Sequence, residues 1–235
     1  MGHLTKVLNP SGKKKTNNWF AKKAKILGHN ISELRIVRHE DSLQHYSANK
    51  NQGRILHESI KLAKLYAKQG NFKEAFEKQR TAFDKEKSLG KQKNTTEAYL
   101  LVYKAIVYEA KANSSKNSDL AMQFMGMAGQ YMDKATGLFL KKRKHKKAIE
   151  TGRKAGDFYA SAGLRRLAFY SYRDAANTSS ENKGNFRALE IYSLALKHAN
   201  PDGQEKKIKQ KIAEIKDSMA QNVKVFGEGY ANLLV

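Results

Sequence analysis

The chain has 235 residues, 40% of them hydrophobic, enough to bury one substantial core or a row of small stacked ones, and it contains no cysteine. That absence excludes disulfides, thiolate metal ligands and cysteine nucleophiles. Forty-five Lys and Arg against 22 Asp and Glu give a net charge of +23, which favours phosphate backbones or acidic protein surfaces as partners.

The excess is spread along the body, from +7 in residues 1–50 to +1 in residues 201–235. Only two prolines interrupt a sequence rich in Ala, Lys, Leu, Glu and Gln, so helix is favoured along most of its length. No apolar run approaches the roughly 20 residues that span a bilayer, and the start lacks the apolar core of a signal peptide. A soluble, cytoplasmic protein is expected, or a nuclear one in a eukaryote.

In chain order, residues 1–31 read as a basic arm with turn formers. It carries Lys13, Lys14, Lys15, Lys22 and Lys23 around Trp19 and Phe20, a combination suited to RNA, an anionic membrane, a partner protein or a Trp-Phe cap on the first hairpin. One short helix is expected before residue 52. Helices are then predicted over about 54–69, 72–88, 95–112, 118–141, 145–162, 164–178, 185–199 and 203–224, separated by breaks such as QGN, NSSKNS, AGL and NPDG. About eight helices with short connections predict an all-α repeat domain over 32–224, followed by an apolar tail or cap at 225–235.

Two stretches share one spacing. Ala63, Tyr66, Gly70, Ala75 and Ala82 stand at the same intervals as Gly156, Tyr159, Gly163, Ala168 and Ala175. Small residues let two helices approach, the aromatics fill the space behind them, and glycine turns the chain tightly. The pattern resembles the tetratricopeptide repeat, with Gln79 standing where an aromatic is usual and with helices too long for that repeat. The longer units are similar to those of the soluble NSF attachment proteins, the alpha-SNAP group.

The resemblance implies a right-handed solenoid of antiparallel helix pairs in which the first helix of each pair lines a concave groove. It places Lys61, Lys64 and Lys68 there from the first unit, Tyr99 and Tyr103 with Val102 and Ile106 from the middle, and Arg153 and Lys154 from the third. Such a groove suits an acidic protein segment or helical bundle with an apolar anchor, or a nucleic-acid strand stacking on Tyr99 or Tyr103. The same tyrosines also suit a packed core, and the lysines a solvated face.

A second basic patch, LKKRKHKK, holds Lys141, Lys142, Arg143, Lys144, Lys146 and Lys147. It reads either as a phosphate-binding or nuclear-import run or as a solvated turn whose cations complement the end of the preceding helix. The seven histidines are scattered, and no HExxH, phosphate-binding glycine loop or GxSxG is present. No catalytic residue, metal ligand, cofactor or small-molecule substrate is expected. The functional expectation is a non-enzymatic scaffold binding an acidic segment, with a structural component of a nucleoprotein assembly as the alternative.

Overall fold

The computed structural model describes residues 31–90, 94–200 and 203–231, with the side chains of residues 31, 32, 94 and 222–231 left aside. The basic arm, with Lys13, Lys14, Lys15, Lys22 and Lys23, and residues 232–235 lie outside this description. The described residues are all-α, with nine helices and no strand among them. They are α1 (Ile31–Ala48), α2 (Gln52–Lys68), α3 (Phe72–Ser88), α4 (Asn94–Ser114), α5 (Ser118–Lys141), α6 (His145–Ser161), α7 (Arg165–Glu181), α8 (Asn185–Leu196) and α9 (Gln204–Ala231).

The expected helices all form, with two corrections. The short helix expected before residue 52 is α1, 18 residues long. The last helix runs on to Ala231 rather than ending at 224, because Gly227 and Gly229 weaken a helix without stopping it.

The chain divides into two compact units, Met1–Leu89 and Gly90–Val235. In each, helices adjacent in sequence pack side by side: α1 on α2 and α2 on α3 in the first, and α4 through α9 in series in the second.

The turns repeat more strictly than the sequence suggests. Lys50, Gly70, Arg143, Gly163 and Lys183 all have positive φ. In each case the following amide bonds the carbonyl five residues back, as Lys144 does to Phe139 and Leu164 to Tyr159, while the positive-φ residue's own amide bonds three residues back. This is the Schellman arrangement, which satisfies the carbonyls a helix end leaves open. The positive-φ residues form two series 20 residues apart, at 50, 70 and 90, the last of these opening the second unit, and at 143, 163, 183 and 203. Within each series one helix and its turn occupy 20 residues and a pair occupies 40, against about 34 for a tetratricopeptide repeat, while the longer α4 and α5 lie between the two series and outside this register.

A left-handed conformation strains any residue with a Cβ. Lys183→Gly is therefore expected to stabilise the second unit by about 0.5–1 kcal/mol, and Gly163→Ala to destabilise it by a similar amount, in denaturant titrations.

In the second unit the helices approach through small residues. Ala105, Ala128, Ala155, Ala168, Ala176, Ala188 and Ala195 are fully buried around Met132, Tyr159, Tyr172, Ile191 and Tyr192. The Tyr172 hydroxyl donates to Asp157 at 2.7 Å, and the Tyr192 hydroxyl donates to Asn177 at 2.5 Å. Both members of the pair move by 20 residues, so side-chain chemistry follows the turn register.

The first unit combines a small apolar core, with Ile55, Leu62, Ala63, Ala75 and Ala82 buried, and a polar clasp. Glu40 of α1 accepts from the Tyr66 hydroxyl at 3.0 Å and from Lys78 at 2.8 Å, joining α1 to α2 and α3. Buried Glu58 accepts from His39 at 2.5 Å and from Lys61 at 3.2 Å. Burial alone would raise the Glu58 carboxyl, but the hydrogen bonds and charges of His39 and Lys61 outweigh it and hold the group below its ordinary value.

A carboxyl depressed on folding contributes stability above its unfolded pKa, near 4.5, and loses it as pH falls through the lower folded value. Glu58→Gln is therefore expected to flatten the acid side of the first unit's stability profile below about pH 4.5. Hydrogen exchange of α2 amides in the full chain, followed across pH, reads this directly.

Candidate functional site

A concave feature of the second unit is built from four helices. From α4 come Tyr99, Val102 and Ile106, and from α5 Met132 and Phe139. From α6 come Lys147, Glu150, Thr151, Arg153 and Lys154, and from α8 Arg187. Residues 99, 102 and 106 form one stripe of α4, and 147, 150, 151 and 154 one stripe of α6, so two facing helices supply most of the wall. The cavity measures about 320 Å³.

Its floor is apolar and tightly held. Phe139 and Met132 are essentially inaccessible to solvent. The Phe139 and Tyr99 rings meet edge to face at 5.3 Å between centroids, and Tyr99 in turn stacks on Tyr103 at 6.4 Å. Thr151 is already committed, its hydroxyl bonding Thr136 at 2.8 Å and the Lys147 carbonyl at 2.9 Å.

The rim is cationic. Lys147 pairs with Glu150 at 3.1 Å, which neutralises the one carboxylate in the lining. Among the described residues Arg153, Lys154 and Arg187 have no ion-pair partner. The Arg153 Nε is buried and lacks a hydrogen-bond acceptor. Burial and the hydrogen bond to Asp157 raise the Tyr172 phenol, while Arg153 pulls it the other way, so the guanidinium's field reaches the next layer of helices.

Of the residues read from sequence, Tyr99, Arg153, Lys154 and Lys147 come together here. Tyr103 does not line the cavity. It is buried, with its phenol pushed up to about 12 by that burial and by Tyr99, so its ring packs rather than projecting into open space. Lys141, Lys142, Arg143, Lys144 and Lys146 are exposed on the α5–α6 turn beside the rim. Lys61, Lys64 and Lys68 belong to α2 of the first unit, where Lys61 is tied to Glu58 and the other two are exposed.

Sequence reasoning missed Met132, Phe139, Glu150, Thr151 and Arg187. Arg187 had a signal, since it stands 40 residues after Lys147 and so occupies the same place one helix pair later.

Among the described residues no group of three or more His, Asp or Glu is placed to hold a metal ion. No helix among them is long and apolar enough to cross a membrane. The arrangement can hold an anionic ligand by its rim and an apolar group on its floor.

No protein-family model matches the chain. No curated protein matches it either. Among solved structures it is similar to the crystal structure of BtubC (BKLC) from P. vanneervenii, at 16% identity and a TM-score of 0.34, covering 81% of this chain and 85% of that one.

Proposed function

We propose that the protein is a non-enzymatic adaptor of tetratricopeptide-like solenoid build that takes an acidic protein segment with an apolar anchor into the cavity of its second unit. The observation that carries this reading is the pairing of an apolar floor, Tyr99, Val102, Ile106, Met132 and Phe139, with the uncompensated cations Arg153, Lys154 and Arg187. Anchors in a pocket supply affinity and the surrounding charges supply orientation and capture rate.

A labelled peptide with a central Leu or Phe between runs of Asp and Glu is the probe. Fluorescence anisotropy is expected to show binding by the full chain, a loss when the anchor becomes Ser, and a weakening of about tenfold or more in Arg153→Glu/Lys154→Glu. Equal binding of the anchorless peptide would sink the reading.

The nucleic-acid alternative rests on the net charge of +23. It predicts a log affinity that falls by about 0.7–0.9 per phosphate neutralised as salt is raised. Base stacking on the tyrosines is disfavoured, since Tyr103 is buried and Tyr99 packs on Phe139. A partner set that survives nuclease treatment supports the adaptor. The narrower SNAP-like reading, with an acidic helical bundle of the membrane-fusion machinery as partner, fails if no such bundle is retained in a pull-down.

A further inference from the structure

The α5–α6 and α7–α8 turns carry a surface the cavity does not use. Each three-residue connection reverses the chain, and α5, α6, α7 and α8 pack in sequence, so these two turns lie at the same end of the second unit. Lys147 and Arg187, just inside α6 and α8, line one cavity, which brings the two helix starts together.

This end is cationic and unpaired. Lys141, Lys142, Arg143, Lys144, Lys146 and Lys183 are exposed, and among the described residues none of them has an ion-pair partner. The carboxylates nearby in sequence are Glu150, tied to Lys147, and the exposed Glu181 and Glu190, against the six cations above.

Two large apolar side chains stand among these cations. Leu140 is 40% exposed and Phe186 is 80% exposed, the highest value among the exposed large apolar residues described. A phenylalanine left in water at the start of a helix adds little to the core, and its apolar area becomes favourable only when something covers it. Cations beside protruding aromatic and aliphatic side chains match the boundary between the anionic headgroups and the acyl chains of a bilayer. A nucleic-acid strand would use the cations and Phe186 but leave Leu140 in water.

We propose that the edge formed by the α5–α6 and α7–α8 turns docks on an anionic lipid bilayer, with Phe186 and Leu140 entering the headgroup region and the lysines meeting lipid phosphates. The edge is separate from the cavity reading, and the variants below leave every cavity-lining residue intact, so peptide binding should persist in all of them.

The test is co-sedimentation of the full chain with phosphatidylcholine vesicles, with and without phosphatidylserine. Partition is expected only with phosphatidylserine and is expected to fall with salt. Lys141→Gln/Lys142→Gln/Lys146→Gln is expected to weaken it by about fivefold per lysine, roughly a hundredfold in all. Phe186→Ser is expected to remove the part that persists at high salt.

A Phe186→Trp variant in a Trp19→Phe background keeps the test independent of folding effects. Its emission is expected to shift to the blue on these vesicles and to be quenched by brominated acyl chains. Unchanged emission on vesicles that bind the chain overturns the proposal, as does undiminished partition of the triple lysine variant. Binding of a single-stranded oligonucleotide that Phe186→Ser weakens, with no vesicle partition, also overturns it and assigns the edge to nucleic acid.

Discussion

Phe139→Ala is expected to destabilise the Gly90–Val235 unit by about 3–5 kcal/mol, the range for removing a fully buried aromatic ring. The ring is inaccessible to solvent and lies among Ala98, Ala135 and Ala148. The alanines have no side chain that can turn inward, so only the partly buried Tyr99, Leu101, Val102 and Leu138 packed against this cluster are left to regain part of the lost contacts. The midpoint of thermal unfolding should fall by roughly 10 °C or more. Phe139→Leu should cost less, because most of the volume is kept. The same substitution removes part of the floor of the cavity and the ring against which Tyr99 packs. Affinity for the anchored acidic peptide should therefore fall together with stability, whereas Lys154→Glu, at an exposed position, should lower affinity alone. A loss below about 1 kcal/mol would show that Phe139 is not enclosed as described.

Gly156→Ala should be the next most damaging change, at about 1–3 kcal/mol. A methyl group at this position would lie 2.6 Å from two carbons of the Tyr172 ring and 2.8 Å from a third. The ring cannot swing aside cheaply, because its hydroxyl donates to Asp157 at 2.7 Å. The first unit shows how the conflict is relieved. The residues matching Gly156 and Tyr172 there are Ala63 and Gln79, both buried. Where the ring is replaced by a slimmer side chain, an alanine is accommodated. Gly156→Ala/Tyr172→Gln should accordingly cost less than the sum of its single variants. A double-mutant cycle in urea measures the difference, and strict additivity would show that the ring is not what excludes the methyl group.

The local architecture was legible because local rules were obeyed. The breaks contain Gly, Asn, Ser and Pro, and the helices between them have the alanine and aromatic spacing that close packing needs. Gly70 and Gly163 revealed one turn each by their type. Lys50, Arg143 and Lys183 hold the same conformation without a type that announces it, so the 20-residue register emerged only from φ angles and hydrogen bonds. α1 was underestimated for a related reason. Its contribution is mainly polar, through His39 and Glu40, and Ile36 is its one buried apolar side chain among those described.

The cavity was half legible. Projecting the first helix of each pair reached Tyr99, Arg153 and Lys154. The floor residues Met132 and Phe139 come from α5, a second helix, and their placement depends on tertiary packing. Tyr103 could not be separated from Tyr99 by type or spacing, yet one is buried and the other lines the cavity.

The register also makes length a discrete variable. Excising 20 residues would join helices that run the same way and leave every later helix entering from the wrong end. Excising residues 145–184 would instead bring Lys144 directly onto Asn185, so that one Schellman turn hands over to the start of an equivalent helix. From Arg143 to Gly203 the second unit is thus expected to shorten or lengthen by whole pairs with the turn hydrogen bonds at each junction kept, a property open to gene duplication and to deliberate redesign alike.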